Sequence, residues 1–426
     1  MKQYQLIGPF TQLLPMTTLP LKGALSDEQL VVIKEAGILI EKDRIKAIGV
    51  FEQLYQNSKS LQPSIIELST PSVGLPGFID AHTHICFGGS RAQDYAMRNA
   101  GKTYLEIAKA GGGIWDTVRH TRANSKEELI KGIINRANRH LQNGVTTIEV
   151  KSGYGLSVAE ELKMLRAIQA ANQQHPADLI ATCLAAHIFP KDYEGSIAGY
   201  LKEISNQLFP ILQTEKLTNR IDAFIEEEAF SPRLIAPYLT KAQQMGFDIT
   251  LHVDQFHAGS SQVAVDFKAI SADHLEASTD NEIKLLANSD VIPVALPGAS
   301  IGLGCAFTPA RKSLDAGTSL AIASDWNPGS APMGDLLTQA AILGTFEKLS
   351  TVEVIAGITY RAAAALGLQD RGRLAANYLA DIIAFPTDDF REILYQQGQL
   401  KPHRVWKKGQ AFSSSDFPSL DEFKQK

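Results

Sequence analysis

At 426 residues, with 44% apolar and 20% charged side chains, the chain is too apolar to remain unfolded and long enough for a (β/α)8 barrel of about 250 residues plus a smaller domain. A net charge of −5 without a long Lys/Arg run argues against nucleic acid as a partner. The three scattered cysteines, Cys86, Cys183 and Cys305, exclude a disulfide framework and a Cys-x-x-Cys zinc site, so a reducing, cytoplasmic setting is expected.

In chain order, Pro9 and Pro15 break the first apolar run, which leaves no leader-like segment. Residues 37–49 alternate apolar and polar side chains on both sides of Lys42-Asp43, the pattern of a hairpin. The run Leu75-Pro-Gly-Phe-Ile-Asp-Ala-His-Thr-His-Ile-Cys86 then reads as a strand ending in two histidines. Ser125-Lys-Glu-Glu128 is a capping box, and Leu129, Ile133, Ala137 and Leu141 follow at fourfold spacing until Gly144 stops the helix. A strand follows over 145–150. Ser157-Val-Ala-Glu160 opens a second helix, to about residue 174, and 179–186 is a buried strand closed by His187.

The next strand covers 221–225, and Ser231-Pro232 caps a helix running to Met245. Strands at 249–253, 272–274, 291–296 and 320–324 bring the number from Phe78 onward to eight. The apolar stretch 291–307 is too short for a membrane span and is broken by Pro293 and Pro297. The Gly-rich stretches 110–113 and 298–304 have neither phosphate-loop nor dinucleotide spacing and are expected to be loops. After residue 370 a strand texture returns, most clearly over 378–385. The predicted architecture is α/β: a (β/α)8 barrel over 76–369, with a small β-sandwich built from both termini, 1–75 and 370–426.

Residues two apart on an extended strand point the same way, so His82 and His84 can reach one metal ion. His252, His274 and Asp325 each end a later apolar segment, and a barrel builds its active site at the carboxyl ends of its strands. Two histidines from one strand, His252 from another and one carboxylate form a set suited to zinc or another divalent transition metal. Such an ion lowers the pKa of bound water toward about 7, which makes hydrolysis of a carbon–nitrogen bond feasible at neutral pH. Asp325 suits two tasks, metal ligand and proton carrier. His274 is open between a fourth ligand, a group behind the ligands, and a donor to the polarised carbonyl, with the donor preferred. His120, His140, His175 and His403 lie among polar residues and are expected to be solvated, while His257 stays undecided.

Pro76-Gly-Phe-Ile-Asp-Ala-His-Thr-His84 with the later His252 and Asp325 resembles the amidohydrolase superfamily, metal-dependent hydrolases on a (β/α)8 barrel with an attached β-sandwich. Narrower matches are Phe87-Gly-Gly-Ser-Arg91, Thr146-Thr-Ile-Glu-Val-Lys-Ser-Gly-Tyr-Gly-Leu156, Ala185-Ala-His187, Ser271-Ala-Asp-His274 and Ser324-Asp-Trp-Asn-Pro-Gly-Ser330. Together they resemble the imidazolonepropionase family of histidine degradation. That resemblance implies ring opening of 4-imidazolone-5-propanoate to N-formimidoyl-L-glutamate, with zinc or iron held by His82, His84, His252 and Asp325. It implies substrate contacts from Arg91, Tyr154, His187, Asn327, Gly329 and Ser330, and a homodimer. An arginine pairs bidentately with a carboxylate, which gives Arg91 a reason to hold the propanoate; otherwise it reads as a solvated loop charge. Asn-Pro-Gly-Ser is also a turn sequence in its own right.

Gln255 departs from the related ring deaminases, which place a proton-shuttling glutamate three residues after the ligand histidine. An amide hydrogen-bonds but exchanges no proton at neutral pH, which argues against a cytosine- or guanine-deaminase mechanism. Imidazolonepropionases carry either Gln or Glu there, so Gln255 stays among the catalytic candidates with Asp325 and His274. The competing readings are a deaminase of a small nitrogen heterocycle, marked by ammonia release, and a non-enzymatic scaffold, marked by the lack of a stoichiometric metal.

Overall fold

The computed structural model describes residues 3–227 and 229–412. Strands Phe78–Asp80, Val145–Lys151, Asp178–Ala186, Arg220–Phe224, Asp248–Val253, Ser271–His274, Ile292–Ala295 and Ala321–Ile322 follow one another with helices between them. Each lies parallel beside the next in one eight-stranded sheet. Every residue of Val145–Lys151 is buried, as expected of a parallel strand covered on both faces. The last strand is shorter than the expected 320–324. Beyond it the chain still closes the barrel, because Thr83 and Trp326 form a parallel bridge, and the Asp325 and His84 amides donate to His82 O and Trp326 O at 3.0 and 2.9 Å.

Three helices match the spacing that predicts them, whereas the Gly-rich stretch 298–304, expected to be a loop, largely forms the helix Pro297–Leu303. Lys126–Gln142 begins at Ser125, whose side chain accepts from the Glu128 amide while Glu128 returns the bond to the Ser125 amide. Val158–Gln174 begins at the Ser157 hydroxyl, which accepts from the Glu160 amide without the return bond, and Pro232–Gln244 starts on proline without a side-chain cap. Three histidines depart from the solvated expectation. His140 is fully buried, with Nε2 3.3 Å from Asp80 Oδ2 and its ring 4.9 Å from the Trp326 ring. His175 is buried between Asn138 and the Ala177 amide, and burial pushes its pKa down to about 4. His403 is half-buried against Ser72, and only His120 is exposed as expected.

The expected sandwich is one mixed sheet folded back on itself. Its strands run Gln410–Phe412, Arg404–Lys407, Ile382–Phe385, Val73–Pro76, Tyr4–Leu13, Ile33–Glu41, Arg44–Val50, with Ser64–Glu67 also beside Tyr4–Leu13. Ile33–Glu41 and Arg44–Val50 are the predicted hairpin, turning at Lys42-Asp43. Arg44 bridges Leu379 and the Ile45 amide donates to Tyr378 O at 2.9 Å, which brings the Arg44–Val50 edge against the segment that leads into Ile382–Phe385. Between them, Ile7, Phe10, Ile38 and Ile45 share a core with Ile382 and Trp406. Val73–Pro76 runs directly into the first barrel strand through Gly77, where an added Cβ would meet Thr146 Oγ1 at 2.3 Å. Among the described residues, no helix is long and apolar enough to cross a membrane.

Candidate metal centre and active site

The barrel brings the sequence-predicted ligands together at the carboxyl ends of its first, fifth and eighth strands. His82 Nε2 lies 3.2 Å from His84 Nε2, which lies 3.4 Å from His252 Nε2. Asp325 Oδ1 sits 3.6 and 3.4 Å from the His82 and His84 Nε2 atoms. The outward nitrogens are held from behind: His82 Nδ1 by Asp273 Oδ2 at 2.6 Å and His252 Nδ1 by Asp222 Oδ1 at 3.1 Å. Those contacts place the ring proton of His82 and His252 on Nδ1 and turn their Nε2 lone pairs toward His84.

Burial drives all three imidazoles well below their ordinary pKa, with Lys151 adding to the effect, so they are neutral donors. Around them stand the buried carboxylates of Glu149, Asp222, Asp273 and Asp325 against the buried ammonium of Lys151. Converging lone pairs and a surplus of buried negative charge fit a divalent cation, and the ligand atoms of His82, His84 and His252 all lie within 4.8 Å of one another.

Asp325 and His274 both adopt left-handed backbone, with φ of 51° and 87°, a strained conformation that clusters at functional sites. Burial pushes the Asp325 carboxyl up to about 7, against the pull of His274 and Asn327. Burial alone would lower His274, but Glu276, 3.3 Å from its Nδ1, outweighs it and raises the imidazole above its ordinary value. His274 stands 5.3 Å from His252 and 5.8 Å from His82, ring to ring.

The expected substrate residues surround the same centre. The His187 ring stacks on His84 at 5.4 Å, and its Nδ1 lies 3.0 Å from Gly153 O. Burial, reinforced by His252, pushes His187 down to about 3, which leaves a neutral ring with an accepting Nε2. Tyr154 is buried 5.9 Å from His84 and 5.5 Å from His187. Arg91 is not the solvated loop charge of the ordinary reading: its side chain is one-tenth exposed, its Nε is tied to Asp94, and its Nη1 approaches Gly329. The Asn327 amide is fully engaged within its own loop. Its Nδ2 donates to Asp325 O, Asp325 Oδ2 and Ser330 Oγ at 2.7, 3.0 and 2.9 Å, and its Oδ1 accepts from the Gly329 and Ser330 amides, both at 2.8 Å. Gln255 is half-buried on the loop after the fifth strand.

Sequence reasoning passed over the carboxylates behind the ligands and Lys151 among them. The signal was present, since a charge inside an otherwise apolar barrel strand must be paired. Glu161 was also missed: its carboxylate accepts the Gly153, Gly155 and Leu156 amides at 3.0, 2.8 and 2.7 Å and so frames the turn that carries Tyr154.

A closed parallel barrel with imidazoles and an aspartate converging at the ends of its strands defines a class, the metal-dependent hydrolases. Residues 96–411 match the model of the Amidohydrolase family. An imidazolonepropionase of Bdellovibrio bacteriovorus is 37% identical over 405 residues, covering 92% of this chain and 94% of that protein. The chain therefore belongs to the amidohydrolase family and, within it, to the imidazolonepropionases. Solved structures share the fold: a triazine hydrolase variant at 18% identity, TM-score 0.74, covers 98% of this chain and 96% of its own. A zinc-bound adenosine deaminase from Xanthomonas campestris, also 18% identical, has a TM-score of 0.70 over 99% and 95%.

Proposed function

We propose that this enzyme hydrolyses 4-imidazolone-5-propanoate to N-formimidoyl-L-glutamate, with residues 76–369 as the catalytic unit. The observation that carries the reading is the convergence of three neutral imidazoles and Asp325 beside a partly buried arginine. His82, His84, His252 and Asp325 would hold the metal, zinc or iron, since imidazole and carboxylate accept both. When bound, such an ion lowers the pKa of a coordinated water toward about 7 and polarises a carbonyl.

The chain's own groups divide the remaining work. Water adds to the ring carbonyl, and the Asp325 carboxylate takes its proton. The carbon–nitrogen bond then breaks, and Asp325 returns that proton to the departing ring nitrogen. His274, whose imidazole Glu276 holds above its ordinary pKa, donates to the carbonyl oxygen as charge grows there. His187 accepts a ring N–H at Nε2, and the Tyr154 hydroxyl faces the same substrate. Arg91 binds the propanoate across from Gly329, while Asn327 and Ser330 fix the loop and, through it, Asp325. Gln255 serves as a hydrogen-bonding group at the rim, because its amide moves no proton.

The deciding experiment assays purified protein on 4-imidazolone-5-propanoate before and after chelation, then with zinc or iron restored. Loss and recovery of turnover support the proposal; a metal-replete enzyme that leaves this compound intact while releasing ammonia from another heterocycle overturns it. The same reading includes a homodimer in the cytoplasm, which light scattering on the eluted protein tests for the assembly.

A further inference from the structure

Lys151 ends the second barrel strand and is fully buried beneath the three imidazoles. Its Nζ lies 2.8 Å from Glu149 Oε1, 2.8 Å from Asp222 Oδ2 and 3.7 Å from Asp273 Oδ2. Each of these carboxylates leads to a histidine ligand. Asp222 gives its other oxygen to His252 Nδ1, and Asp273 Oδ2 is the partner of His82 Nδ1. Glu149 Oε2 accepts the Thr83 amide at 3.1 Å, and Glu149 O accepts the Thr83 hydroxyl at 2.6 Å, which pins the backbone between His82 and His84.

We propose that Lys151 is the positioning residue of the metal centre, one ammonium whose pairings aim His252, His82 and the His82–His84 backbone at a common point. The inference rests on the ligand assignment above. A buried ammonium is costly, and an apolar side chain of similar volume would fill the same space at lower cost. What an apolar chain lacks is a point charge with three donors, which draws Asp222 Oδ2 toward it and so directs Asp222 Oδ1 at the imidazole. Thr250 Oγ1, 3.2 Å from Asp273 Oδ2, completes the seat of the second carboxylate. Without the ammonium, three buried carboxylates are left to repel one another, and both histidines lose the fixed partners that set their ring orientation.

The test measures Co2+ binding by chelator competition, together with the visible absorption of the Co2+-loaded protein, for the native chain, Lys151→Met and the double variant Lys151→Met/Glu149→Gln. The double variant removes one charge of each sign and, by its difference from Glu149→Gln alone, decides the question if the single variant does not fold. In a folded variant the Co2+ Kd should rise about 10- to 100-fold, the usual effect of losing a group behind a metal ligand, and the absorption bands should shift. A folded variant with native Kd and native bands, however lowered its Tm, overturns the role of Lys151. A native chain that takes up no Co2+ would instead overturn the ligand assignment and this inference with it.

Discussion

Asp273 holds His82 through a 2.6 Å contact between Oδ2 and Nδ1, deep in the barrel where neither side chain meets solvent. The pairing fixes both the tautomer and the plane of a proposed ligand ring. Asp273→Asn keeps the volume but removes the charge and can turn an N–H toward the imidazole. Metal affinity should fall about 10- to 100-fold, read as residual metal after dialysis against a graded chelator. Full retention by the variant would show that the His82 orientation is set elsewhere.

Arg91 is held at Nε by Asp94, which itself accepts the Gly113 amide at 2.9 Å, so the other edge of the guanidinium is presented toward Gly329. A charge-assisted pair contributes roughly 1.5–3 kcal/mol. Arg91→Ala should therefore raise KM for the propanoate substrate on the order of 10- to 100-fold while kcat changes less. An imidazolone without the acid tail should be turned over equally by both enzymes; a matching loss on that compound would remove the tail from Arg91.

Glu161 accepts three backbone amides around Tyr154 with its two carboxylate oxygens. In Glu161→Gln one oxygen becomes an NH2 that confronts at least one of those N–H groups, a buried mismatch of roughly 1–3 kcal/mol. The Tm should drop, and kcat/KM should fall further than the lost folded fraction explains, because Tyr154 shifts with its turn. Unchanged kinetics at reduced Tm would confine Glu161 to stability.

Asp178, at the start of the third barrel strand, joins the barrel to the C-terminal strands through Arg371, Lys407 and Lys408 at 2.6, 2.9 and 2.7 Å. Burial on its own would raise this carboxyl, but Lys407, Lys408 and Arg371 together hold it well below the usual carboxylate range. A pKa lowered by folding gives stability that is present above the unfolded value, about 3.9, and is lost as pH falls through the folded one. The native Tm should therefore decline on acidification below about pH 4 more steeply than that of Asp178→Asn. At neutral pH the variant should be less stable by on the order of 3 kcal/mol. Parallel Tm curves for the two proteins would dismiss the ionic clamp.

The sequence made most of the fold legible because its signals are local. Ser125 and Glu128 mark the start of a helix, and the ligand histidines stand where apolar runs stop, which in a barrel is where chemistry sits. His140 was misjudged for a definable reason: Asn138 and Arg139 suggest a polar surface, but His140 lies three residues beyond Ala137 and beside Leu141, on the stripe that faces the core. Lys151, Asp222 and Asp273 were visible only as charges inside buried strands, and their partners come from different strands, so no spacing along the chain pairs them. The burial of Arg91 likewise depends on Asp94 and on the loop at Gly329, more than two hundred residues away.

The bond from the Asp325 amide to His82 O ties the last strand of the barrel to the first, and both residues belong to the proposed ligand set. The proposed set of donors would thus be complete only once the first and last barrel strands have met, which would make capture of an ion a late step of assembly.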